Sequence, residues 1–302
     1  MEQRLNIIRQ LAEQYNKEEY FTGDPIIFPK HFARILEGKE GFEGLGGEGV
    51  NLRGRKYTLK DVEIAAVIAA HLAWGRRDMI VRDCKRAFDE MNWEPYSYVM
   101  AGNYRDEDRS LHRTIKWSDF AAICGRLREF YLKNDSLEIL TPDEFRVKIY
   151  GQKSEPKAAN KKIHMLRRWM VRNDGIVDLG LWKNTSPASL VIPLDVHVHR
   201  SALNMDITSR KGADITTALE INEFLHKAFP GDPCKGDFAL FAAATASAQI
   251  KFSADFECGS MEKVELVSQE TKNGTETITY NFYSRFDPAN PARPTLAPSA
   301  RW

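Results

Sequence analysis

The segment DVEIAAVIAAHLAW, residues 61–74, constrains this chain more than any other. It is apolar around nearly every face of a helix, and such a helix is stable only when other elements surround it. Thr58 and Asp61 stand where helix caps belong, so the sequence predicts a central buried helix opening there. Amphipathic segments to wrap around it are plentiful. Helical spacing marks residues 2–20 (Leu5, Ile8, Leu11 and Tyr15 on one stripe), 78–91, 117–133 and 142–149. It marks 161–172, 196–203, 214–228 and 236–250 as well. DPIIFPKHF (24–32) is broken twice by proline and reads as extended or turned. A glycine-rich loop fills 38–56, and residues 173–192 form a long irregular connection. Strand patterning is confined to 264–286, where alternation on both sides of Asn273-Gly274 predicts one hairpin before a Pro- and Ala-rich tail. The fold class is all-α with a small C-terminal β-hairpin.

A chain of 302 residues can bury one large core or two lobes without staples. Its net charge of +1 excludes a wholesale polycation, so any nucleic-acid surface must come from local clustering. Cys84, Cys124, Cys234 and Cys258 lie far apart, a spacing of neither a zinc site, an iron–sulfur site nor a secreted disulfide framework. The N-terminus carries charges throughout and does not read as a signal peptide, and no run approaches 18 apolar residues. These features predict a cytoplasmic protein without a membrane span. Gly44 to Gly49 matches G-x-G-x-x-G, but no strand precedes it, and it reads as a surface loop.

Two constellations carry chemistry. In IPLDVHVHR (192–200), Asp195, His197 and His199 alternate. They would share a face on a strand, whereas helical positions i and i+2 point about 200° apart. Because the helical pattern resumes at Val196, Asp195 reads as a helix cap, and a metal site becomes a secondary reading. A cap needs no catalytic role, yet a carboxylate kept ionised by a helix N-terminus also suits catalysis, so both readings stay open. The second constellation is Lys153 to Arg172, with seven lysines and arginines against one acid, Glu155. Its apolar stripe packs on one side, and the other would offer Lys162, Arg168 and Arg172 to a phosphate backbone. Lys153, Lys157, Arg200, and Arg76 and Arg77 of WGRRD extend the same expected surface.

LDVHVHR is similar to the V-D-T-H-V-x-R type signature of the helix-hairpin-helix DNA glycosylase superfamily, with Asp195 in the place of the catalytic aspartate. More closely, the chain resembles an uncharacterised bacterial branch, a DUF2400-like domain of unknown function. The motifs that carry this likeness are Phe21-Thr-Gly-Asp24-Pro25, Leu166-Arg-Arg-Trp169-Met-Val-Arg172, Asp178-Leu-Gly-Leu-Trp182 and Asp237-Phe-Ala-Leu-Phe241, and it covers roughly residues 20–250. In layout the archaeal 8-oxoguanine DNA glycosylases look nearest. Their catalytic lysine matches Lys161 here, 34 positions before Asp195, with Lys162 its neighbour and rival. The chain departs from the superfamily at two points: SEPKAAN (154–160) replaces the L-P-G-x-G hairpin, and the cysteine quartet of the iron–sulfur members is missing.

The resemblance implies two helical lobes with a cleft between them, one of about 57–175 and one of about 1–56 plus 190–255, together a domain of 1–255 before a C-terminal segment 256–302. It implies a DNA glycosylase with AP lyase activity and no cofactor, acting in the cytoplasm at the nucleoid. The partner would be double-stranded DNA carrying a damaged or modified base, with an oxidised purine favoured. Lys161 would be nucleophile and Asp195 the carboxylate under the sugar. Trp74 and Trp182 would wall the base pocket, and His197 would support the aspartate. The alternatives are a non-catalytic DNA-binding protein on the same scaffold and a metal-dependent hydrolase using Asp195, His197 and His199.

Overall fold

The computed structural model describes residues 1–45, 55–245, 261–272, 275–284 and 295–296. The described residues form mostly α-helix. Helix α3 (Leu59–Leu72) is the expected central element: every residue from Asp61 to Ala70 is buried. Its start is a capping box, in which Asp61 Oδ2 accepts from the Thr58 N–H at 2.8 Å. Around it lie α1 (Glu2–Tyr15), α2 (Ile27–Leu36), α4 (Arg77–Glu90), α5 (Pro95–Ala101), α6 (Trp117–Tyr131) and α7 (Pro142–Lys148). Then come α8 (Lys161–Val171), α9 (Val196–Asn204), α10 (Ile215–Ala228) and α11 (Lys235–Thr245). Helices α2, α4, α5 and α8 pack on α3, while α1 packs on α10 and α11, and α11 on α9. One connected apolar core runs through all of them.

Two segments differ from the sequence reading, and a third, irregular as expected, takes a definite course. The stretch expected to be extended is helical in α2, because Pro29 falls in its first turn, where the missing N–H is unneeded. Helix α2 also packs on α3 rather than with α1. Between α5 and α6 a short antiparallel pair, β1 (Ser110–His112) and β2 (Ile115–Lys116), was not legible in the pattern. The connection 173–192 folds back along α8: Leu179 N–H donates to Trp169 O at 2.7 Å and Trp182 N–H to Met170 O at 2.8 Å.

The expected C-terminal hairpin is present as antiparallel β3 (Met261–Lys272) and β4 (Thr275–Ser284), with Leu266 opposite Tyr280, and β5 (Thr295–Leu296) adds to β4. The Asn273-Gly274 turn, the glycine motif from Gly46 onward, residues 51–54, Cys258 and most of the tail lie outside the described residues. Among the described residues, no helix is long and apolar enough to cross a membrane.

Trp182 is a core residue, not a pocket wall. It is 1% exposed, and its Nε1–H donates to Glu63 Oε1 at 2.7 Å. Glu63 also accepts from Tyr131 Oη at 2.8 Å and from the Leu137 N–H at 3.1 Å, and burial pushes its pKa up. These donors satisfy a carboxylate that would otherwise be costly to bury.

Candidate active site

Asp195 closes the gap between two helices. As N-cap of α9, its Oδ1 accepts from the N–H groups of His197 and Val198, both at 2.9 Å. Its Oδ2 lies 3.2 Å from Nζ of Lys161, the first residue of α8. The two oxygens have separate duties: one holds a helix terminus, the other faces an amine. Lys161 retains 35% side-chain exposure and Asp195 16%, so the pair is sheltered yet reachable.

Both residues line a cavity of about 590 Å³. Its walls include Phe21, Trp74, Met165, Trp169 and Phe241, and its polar groups include Asp24, Arg77, Arg168, His197, Asp237 and the Lys161–Asp195 pair. This is the make-up of a small-molecule site, mostly apolar with a few convergent charges, and the volume lies within the range of about 300–1,000 Å³ typical of ligand pockets. Burial raises the pKa of Asp24. Burial, with help from the nearby charge of Asp195 and against the pull of Arg168, pushes Asp237 up to about 6. Asp24 and Asp237 belong to the cavity although only their motifs, FTGDP and DFALF, stood out in the sequence. An isolated carboxylate beside apolar residues was the available signal.

Lys162 does not share the cavity. Its ammonium donates to the carbonyl of His71 at 2.5 Å and lies 5.9 Å from the Trp74 ring centroid. Burial, then repulsion from Lys161, lowers its pKa to about 8. Trp74 does line the cavity, as expected of a wall, and His197 sits exposed at the mouth.

The expected phosphate surface divides. Lys153, Lys157, Arg77 and Arg200 are exposed, and Arg76 is exposed but paired with Asp78 at 2.7 Å. Arg168 and Arg172 are a correction: they are 6% and 2% exposed and face inward. Arg168 pairs with Asp237 at 2.7 Å and Asp178 at 3.3 Å. Arg172 binds Asp232 at 2.8 Å, Asp174 at 3.1 Å and also Asp178. Asp174 and Asp178 come from the connection just after the basic run, whereas Asp232 and Asp237, on α11 and its approach, are remote from it in sequence.

The metal alternative fails on geometry. His199 is buried and its Nε2 lies 2.8 Å from the Arg210 carbonyl, which requires that nitrogen to donate a hydrogen rather than a lone pair. Among the described residues, no three His, Cys, Asp or Glu side chains gather as a metal would need.

A family model described as "Protein of unknown function (DUF2400)" matches residues 52–155 and 142–245, more than half of the chain. Lys161, Asp195 and Asp237 fall inside that span, Phe21 and Asp24 before it. No curated protein and no solved structure matches.

Proposed function

The chain belongs to the DUF2400 family of unknown function, and we propose that it is a DNA glycosylase with AP lyase activity that excises a damaged or modified base. The observation that carries this reading is the 3.2 Å approach of Lys161 Nζ to Asp195 Oδ2 at the edge of the cavity. An amine beside a carboxylate that is itself fixed by a helix N-terminus is the arrangement needed for nucleophilic substitution at a sugar carbon.

In this reading the molecule has two helical lobes with the cavity as the cleft between them. Trp74, Arg77 and Lys161 belong to one side, and Asp195, His197 and Asp237 to the other. Helix α2 joins the first lobe through α3. A base extruded from the duplex enters the cavity and stacks on its aromatic walls. Nε1 of Trp74, Nε1 of Trp169 and Oδ1 of Asp237 are buried without a protein partner. Unpartnered buried polar groups are costly, and a flat base with carbonyl and N–H groups would partner them; an oxidised purine has both.

The Lys161 ammonium passes a proton to Asp195 Oδ2, and the free amine forms a bond to C1′ as the N-glycosidic bond breaks. The base departs with that bond's electron pair and takes up the proton from Asp195 Oδ2, which restores the carboxylate. Opening of the sugar ring gives a Schiff base, and β-elimination expels the 3′-phosphate. Restored to a carboxylate, Asp195 stabilises the positive charge that builds on the sugar. Exposed Lys153, Lys157, Arg77 and Arg200 are the phosphate contacts.

Borohydride trapping on duplexes bearing oxidised, alkylated or otherwise modified bases tests this reading. A covalent adduct with wild type that Lys161→Gln loses supports it. Alkali-labile abasic sites without an adduct would mean a monofunctional enzyme resting on Asp195. DNA binding without either product would leave the non-catalytic binding protein.

A further inference from the structure

The β1–β2 pair, which the sequence pattern did not reveal, grips the cavity wall from behind. His112 ends β1 fully buried, and its Nε2 lies 2.9 Å from the Trp74 carbonyl. A carbonyl only accepts, so Nε2 carries the hydrogen and donates it. The other ring nitrogen lies 2.8 Å from Asp83 Oδ2, and Asp83 is in turn held by Arg82 at 2.8 Å and Arg86 at 3.2 Å. Arg113 follows at the turn, and its guanidinium stacks 4.2 Å from the Trp74 ring centroid. Gly75, next to Trp74, has φ +102°, and a Cβ there would lie 2.6 Å from Arg113 Nη1. Trp74 is therefore held by its carbonyl from one hairpin residue and by its ring from the next.

We propose that His112 and Arg113 are positioning residues which fix the Trp74 indole in the cavity wall and so set which flat ligand the cavity accepts. The consequence for ligand choice rests on the base-excision reading; the positioning does not. Trp74 follows the end of α3, where its N–H donates to the Leu72 carbonyl at 2.7 Å; this backbone bond fixes the chain but not the indole ring. A buried histidine anchored through Asp83 on α4 supplies a rigid strut, and an arginine face supplies a cation–π contact that strengthens as solvent is excluded.

The test uses the full chain labelled with 5-fluorotryptophan, whose six signals are followed by fluorine NMR, with Trp74→Phe assigning the relevant one. In His112→Ala and Arg113→Ala the Trp74 signal is expected to shift or broaden while the other five stay in place. In His112→Gln, whose amide N–H can reach the carbonyl, it is expected to return toward its wild-type position. An unchanged Trp74 signal in either alanine variant overturns the proposal. Arg113 is exposed, so Arg113→Ala decides alone if His112→Ala does not fold. On a duplex that gives a trapped adduct, Arg113→Ala is expected to raise KM about tenfold with kcat nearly kept, the size of a weakened stacking contact. A fall in kcat alone would overturn the link to ligand choice. The fluorine signals need no substrate, so they remain decisive if the glycosylase reading fails.

Discussion

The two ends of α8 carry the same kind of residue and put it to opposite uses. At the N-terminal end Lys161 has one carboxylate partner, a third of its side chain exposed, and an open cavity beside it. At the C-terminal end Arg168 and Arg172 are enclosed by Asp174, Asp178, Asp232 and Asp237. A cation with several fixed partners holds elements together, and removing it strands buried negative charge. A cation with one partner and a neighbouring void can exchange that partner for a ligand. On the proposed reading, the number of fixed partners, not charge, separates structure from chemistry here.

The largest effect that would sharpen this contrast is at the open end. Lys161→Gln is expected to abolish the borohydride adduct while shifting unfolding free energy by less than about 1 kcal/mol, since the pair is partly exposed. A large loss of stability would place Lys161 with the structural arginines instead. Next comes the closed end: Arg172→Ala should destabilise by roughly 3–5 kcal/mol, as for other broken buried pairs, read by chemical denaturation. A stability close to wild type there would break the comparison. Asp195→Asn is expected to slow base excision by about 10²–10³-fold, yet to leave the melting temperature almost unchanged, because asparagine caps helices about as well as aspartate.

Smaller effects test the space between the ends. Lys162 has a folded pKa of about 8 against 10.5 when unperturbed, so between those values the unfolded chain binds more protons. Stability relative to Lys162→Met should therefore rise from pH 8 to pH 10.5, with the burial penalty fully present below pH 8. A flat difference would mean that Lys162 is not sheltered. Least of all, Lys157→Ala should lower the salt slope of DNA binding by about one unit without altering melting. An unchanged slope would remove Lys157 from the DNA surface.

The helical architecture was legible because period and capping agree: the run from Asp61 to Ala70 could only be central, and Thr58 with Asp61 marked its start. Asp195 was legible as a cap for the same local reason, whereas the resemblance named Asp195 and Lys161 without saying that they would pair. Local patterns do not report which long-range partner a charge will find. Arg168 and Arg172 looked solvent-facing because Asp232 and Asp237 arrive from beyond α9 and α10, and because the turn that brings the nearby Asp174 and Asp178 back onto them leaves no local pattern. Trp182 looked like a pocket wall for a similar reason, since its partner Glu63 lies on another helix. The β1–β2 pair escaped notice because strands of three and two residues carry no usable alternation.

The double duty of Asp195 has an evolutionary side. Its Oδ1 serves the start of α9 and its Oδ2 serves Lys161. Asparagine would keep the first service and lose the second, and aspartate and asparagine codons differ by a single nucleotide. If the chain is the glycosylase proposed above, a catalytically silent descendant that folds, melts and grips DNA as before lies one point mutation away. Selection for solubility or thermal stability would not notice the change. On that reading, the identity of one helix cap is the place to look first when telling an enzyme from a relative that has become a binding protein.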